Sequence, residues 1–235
     1  MQKLFLLLLI FSFYSCEKKD DDFNEVCNSN CTVIEGTFTT ANNVPIKNVK
    51  VELDYKASTG TYGVSVRNIS RSTTDNEGYY RMEFFIEENE LGESAEGYYR
   101  FQADVSNIEN INSYIIPSQN LEGLSNWDVI YSINTRDTII DKSFYIPTKA
   151  HINVNLSHFI PIQANDTFKI LSNYPGGSSG INAKNLENQT IEVFVAENEY
   201  NNIKILKTKN GEFTVVDQLN IFIPTNETLE LNYEY

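Results

Sequence analysis

The chain has 235 residues and a formal net charge of −14, with 32 Asp and Glu against 18 Lys and Arg. That balance excludes nucleic acid as a ligand, because holding a phosphate backbone needs clustered Lys and Arg. Fourteen Tyr and fourteen Phe, with abundant Thr, Val and Ile, favour strands over helices, in a length that suits one large or two ordinary domains.

Lys3 precedes an almost unbroken apolar run, Leu4 to Phe13, followed by Tyr14, Ser15 and Cys16 and then by Glu17-Lys18-Lys19-Asp20-Asp21-Asp22. A positive residue, a short apolar core and a small residue before the break describe a secretory signal peptide. The run is too short to cross a bilayer, which takes roughly 20 apolar residues. Phe13-Tyr14-Ser15-Cys16 resembles the lipobox of bacterial lipoproteins, with Tyr14 bulkier than the usual Ala. The resemblance implies that residues 1–15 are removed and that Cys16 is acylated, palmitate being one such chain, and becomes the new N-terminus. Two or more acyl chains anchor stably where one binds only marginally. The acidic string after Cys16 resembles the export signal of surface-exposed lipoproteins in some Gram-negative bacteria. It implies an outer-membrane lipoprotein facing outward; the plainer reading is a solvated tether over residues 16–31, extended by like-charge repulsion.

With Cys16 carrying lipid, Cys27 and Cys31 remain. In an oxidising compartment they are expected to form a local disulfide in preference to free thiols. A metal half-site would need a second Cys or His pair, and none lies near. No metal and no cofactor is expected.

Period-two alternation, the mark of half-buried strands, then recurs along residues 32–146. Val49, Val51 and Leu53 alternate with Lys50, Glu52 and Asp54; Tyr80, Met82, Phe84 and Ile86 with Arg81, Glu83 and Phe85; Phe101, Ala103 and Val105 with Arg100, Gln102 and Asp104. Gly36, inside a strand, implies a bulge or a close backbone approach. Pro45 presets the turn into the second strand, and Asp75-Asn76-Glu77-Gly78 supplies a turn with Gly at the positive-φ position. Val33-Ile34-Glu35-Gly36-Thr37-Phe38, Val44 to Leu53 and Thr73 to Tyr80 together resemble the carboxypeptidase regulatory-like domain. The resemblance covers about residues 32–105 and implies a transthyretin-like β-sandwich. It carries no peptidase activity, for the chain has no His-x-x-Glu pair. Residues 106–136 read as loops with a short helix, Thr138–Ile146 as a strand, and Pro147 as the boundary.

Residues 147–235 read as a second small sandwich of short strands, centred on Ile152-Val154-Leu156, Phe168-Ile170, Ile191-Val193-Val195, Ile203-Ile205, Phe213-Val215, Leu219-Ile221-Ile223 and Leu229-Leu231-Tyr233. Tyr174-Pro175-Gly176-Gly177 and Asn210-Gly211 are turn signals between them. The fold expected is all-β, two β-sandwiches in tandem.

Residues able to do chemistry are few. Gly176-Gly177-Ser178-Ser179-Gly180 matches the Gly-x-Ser-x-Gly elbow, yet no histidine follows Ser178 and no helical pattern follows Gly180, so it reads as a hairpin loop. The two histidines, His151 and His158, fall on opposite faces of one strand unless the strand breaks between them. The carboxylates Glu87, Glu88, Glu90, Glu93 and Glu96 lack calcium-loop spacing and read as a solvated loop. Tyr62, Tyr79, Tyr99 and Trp127, placed on outward faces or loops, are the candidate ligand-stacking residues. The function expected is a non-catalytic, lipid-anchored binding or accessory module for a glycan, peptide or protein at the cell surface. A structural spacer is the alternative. A hydrolase using only carboxylates would need two of them facing each other at about 5–10 Å.

Overall fold

A computed structural model describes residues 18–20, 27–60, 63–93, 95–116 and 124–235, with 18–20 and 126 described through the backbone alone. The described chain is all-β, two β-sandwiches in tandem, with a few 3-10 turns as its only helical pieces. It divides into two compact units: residues through Phe38, Pro45–Glu109 and Pro117–Phe144 in one; Thr39–Val44, Asn110–Ile116 and Tyr145–Tyr235 in the other. Two short stretches of the expected first domain, 39–44 and 110–116, therefore cluster with the second unit.

In the first unit, one sheet runs in the order β1 (Lys18–Asp20), β5 (Val64–Thr73), β4 (Lys50–Ser58), β7 (Gly97–Asp104), β8 (Ser125–Ile130). The other centres on β2 (Thr32–Thr40), which pairs with β3 (Val44–Pro45), β6 (Tyr79–Phe84), β9 (Ile139–Asp141) and β10 (Phe144–Tyr145). The alternating residues behave as their period dictates: Val51, Leu53, Tyr80, Met82, Phe101 and Ala103 are all buried. Rings then bridge the two sheets, Tyr80 to Phe101 at 5.5 Å and Phe84 to Tyr99 at 6.1 Å between centroids. Two glycines do what their positions require. A Cβ on Gly36 would lie 2.2 Å from the Lys142 carbonyl oxygen, which makes the expected close approach concrete. Gly78 has φ +70 and closes a turn in which Asp75 Oδ1 accepts from the Glu77 and Tyr79 amides at 3.0 and 2.9 Å.

Three expectations fail here. β8 occupies a stretch read as loop, because the β7–β8 register skips Trp127 and so breaks the period-two signal. Asp54, expected in water, is buried and takes a forked pair of bonds from Arg100 on the neighbouring strand, Nε lying 3.1 Å from each oxygen. Glu90, expected in a solvated loop, is 2% exposed and sits under Arg67.

The second unit stacks the sheet β14 (Gln189–Ala196), β11 (Lys149–Ser157), β17 (Thr228–Glu234) on the sheet β13 (Gly177–Asn182), β12 (Thr167–Tyr174), β15 (Tyr200–Lys209), β16 (Glu212–Phe222). Its core is aliphatic: Ile152, Val154, Ile170, Val193, Val195, Ile203 and Ile205 are wholly buried, joined by Phe168. Asn210 and Gly211, both at positive φ, make the two-residue hairpin between β15 and β16. Gly177–Asn182 is a strand and not a loop, while 213–215 and 219–222 are one strand, with an irregular register at Val216 and Ile223 just past its end. That irregularity interrupts the regular run of the β16 edge, and Asp217 beside it accepts from the Tyr233 hydroxyl at 2.8 Å.

Candidate functional site

The aromatic candidates do not converge. Tyr99 is wholly buried, a correction to its expected outward position, and its hydroxyl donates to Glu90 Oε2 at 3.2 Å. Trp127 packs edge-on against Phe38 and Phe144 at 5.4 and 5.6 Å, so its ring belongs to the inter-sheet packing. Among the described candidates, Tyr79 alone is on an open face, where its hydroxyl donates to the Glu35 carboxylate at 2.8 Å. Tyr62 and Cys16 lie outside the described residues. Cys27 and Cys31 are joined by a disulfide, Cα to Cα 5.7 Å.

The other chemical candidates are structural or solitary. Arg67 Nε donates to Glu90 Oε1 at 2.7 Å, its Nη2 bonds Oε2, and the Glu87 amide donates to Oε2 at 3.2 Å, so both carboxylate oxygens are occupied. Burial, then the Glu90 charge and hydrogen bond, push the Tyr99 phenol well above its ordinary range. Ser178 lies in β13 opposite Asn173, in strand geometry and not on an elbow. His151 is on β11, and His158 follows the strand's end at φ +57. Each has its own carboxylate, His151 Nδ1 to Glu192 and His158 Nδ1 to Glu234, both at 3.4 Å. Among the described residues, no three His, Cys, Asp or Glu gather to hold a metal, and no helix is long and apolar enough to cross a membrane.

What the structure brings together is the outer face of the β14-β11-β17 sheet. Since side chains alternate along a strand, burying Ile152, Val154 and Leu156 turns His151, Asn153, Asn155 and Ser157 outward. Cross-strand pairing sets Asn155 between Thr190 and Asn232, and Asn153 between Glu192 and Glu230. Asn153 and Asn155 each donate to Glu230, at 2.7 and 3.0 Å. Asn155 also reaches Asn232 Oδ1 at 3.2 Å, and the Thr190 hydroxyl donates to Asn155 Oδ1 at 2.7 Å. At the end of this lattice an open groove of about 700 Å³ is lined by Asn155, Ser157, Asn188, Thr190, Asn232 and Glu234, among others, with no Lys or Arg. Sequence reasoning missed the groove because it watched aromatics. The legible signal was Asn and Thr at every second residue of strands whose other residues are apolar.

No protein-family model and no curated protein matches the chain. Solved structures resembling it include the Bacillus anthracis TIE protein, 11% identical, covering 87% of this chain and 33% of that one with a TM-score of 0.32. The minor pilin of Streptococcus agalactiae is 11% identical over 86% of this chain and 94% of that one, TM-score 0.30. A streptococcal ancillary pilin is 10% identical over 88% of this chain and 63% of that one, TM-score 0.30. The chain thus spans about a third of the TIE protein. Likenesses this low carry no argument about function.

Proposed function

We propose that the chain is a lipid-anchored, non-catalytic binding or accessory module displayed on the surface of a bacterial outer membrane, with the amide-lined groove of its second unit as the ligand face. The groove is the observation that carries this reading: rigid strands hold polar side chains outward in a concavity that a spacer would not need. Its lining holds one carboxylate, Glu234, where carboxylate-based hydrolysis needs two, which supports binding over chemistry. The lipobox-like Phe13-Tyr14-Ser15-Cys16 and the acidic string after it support the anchor and outward display. The first unit's stacked sheets are in keeping with the transthyretin-like sandwich that the carboxypeptidase regulatory-like resemblance of residues 32–105 implies.

Detergent-phase partitioning tests the anchor. Cys16→Ala should leave an unacylated precursor that moves to the aqueous phase, and an unchanged distribution would rule out acylation at this residue. Protease treatment of intact cells tests display: digestion of the wild-type protein is expected, and full protection would place it on the inner side.

A further inference from the structure

The chemistry of the groove narrows its ligand by charge complementarity. No cation lines it, so an anionic ligand has no counter-charge. Its one carboxylate, Glu234, gives a cationic ligand a single, largely exposed counter-charge. Leu156, the aliphatic side chain of the lining, is 2% exposed and offers almost no apolar surface. What remains is a lining that joins carboxamides and hydroxyls to the carbon surface of those side chains and of Tyr233, complementary to a ligand with polar groups on an apolar frame.

Those side chains are partly spent in holding one another, and the unspent part faces the groove. Thr190 gives its proton to Asn155 and keeps its oxygen lone pairs. Asn188 uses Oδ1 for the His158 amide at 3.4 Å, and Asn232 uses Oδ1 for Asn155. Their carboxamide N–H groups make no hydrogen bond among the described residues. Asn188 and Thr190 at the β14 edge, and Asn232 and Glu234 on β17, thus each set a donor near an acceptor, on the two strands that flank β11 about 10 Å apart. The Asn153–Asn155–Glu230 bonds fix this array before any ligand arrives, lowering the entropy lost on binding. Beyond the groove, four residues or about 13 Å from Thr190 by strand rise, the half-buried ring of Phe194 sits at the β14 edge, 5.9 Å from Tyr174 of the facing sheet.

We infer that this groove binds a neutral oligosaccharide chain, lying along β14 from Asn188 toward Phe194, with Asn188, Thr190, Asn232 and Glu234 bonding its hydroxyls and Phe194 packing on a sugar face. This rests on the binding-module reading above.

Full-length protein in detergent, titrated by calorimetry with malto-, cello-, xylo- and mannohexaose, tests it. At least one hexasaccharide should bind, and Asn188→Ala, Asn232→Ala and Phe194→Ala should each weaken it about 3- to 10-fold, the two Asn variants with the melting temperature unchanged. Binding that all three variants retain in full would put the saccharide elsewhere and overturn the assignment. If no hexasaccharide binds but a Lys-Ser repeat peptide does, and Asn232→Ala weakens it, the groove stands and the carbohydrate falls. If neither class of probe binds, both the inference and the groove as ligand face fall.

Discussion

In the first unit the hydrogen-bonded carboxylate Glu90, with Tyr99, lies inside the sandwich under Arg67, whereas in the second unit Asn153, Asn155, Thr190 and Glu230 bond one another on its outer surface. Both arrangements come from strands with the same period. A buried carboxylate must have every lone pair met, and once met it has nothing left for a ligand. An exposed lattice can leave groups over, as Asn188 and Asn232 do. Core chemistry differs in degree: ring pairs bridge the sheets of the first unit, while the second is mainly aliphatic, with Phe168 and Tyr233 6.1 Å apart across its sheets.

The harshest way to break the first unit is Phe101→Ala, which empties a wholly buried position that touches Tyr80 and Phe144. A loss of about 3–5 kcal/mol in urea unfolding is expected. Glu90→Ala should come next, at about 3 kcal/mol, because it strands Arg67 and the Tyr99 hydroxyl; the Arg67 side chain is 25% exposed, so water relieves part of the cost. A change below about 0.5 kcal/mol would show that the pair is not part of the fold's support. Gly78→Val should cost about 2 kcal/mol, from left-handed strain and a Cβ built 2.5 Å from the Phe38 carbonyl oxygen.

Smaller effects sharpen the second unit. Asp166 accepts from the backbone amides of Gln163, Asn210 and Ile162 at 3.0, 2.8 and 3.0 Å, and these bonds, with Lys209 nearby, hold its carboxyl below the ordinary 3.8. A depressed folded value means that this contribution is complete above the unfolded value and disappears as pH falls below it. Acid titration of Asp166→Asn should therefore show a shallower stability loss below about pH 4 than the wild type, with no difference in slope at neutral pH. Asn232→Ala should change stability by less than about 0.5 kcal/mol, since it faces water. A larger drop would mean that the outer lattice supports the fold and would weaken the contrast between the units.

Much of the fold was legible residue by residue. Tyr80-Met82-Phe84 and Ile152-Val154-Leu156 announce strands because one side of each must leave water. Asp75 to Gly78 and Asn210-Gly211 announce turns because few residues tolerate positive φ. β8 was not legible, since a register skip at Trp127 erases the alternation. Glu90 was not either: a run of carboxylates reads as solvated until an arginine 23 residues earlier is placed over one of them.

The amino-acid order alone determined an acidic, strand-rich chain whose apolar residues recur at the spacing of half-buried sheets, because side-chain alternation is a local property of extended backbone. Which outward side chains would meet was decided only in three dimensions. Asn155, Asn188 and Asn232 are far apart along the chain, and it is the parallel pairing of β17 and the antiparallel pairing of β14 against β11 that set them around one groove.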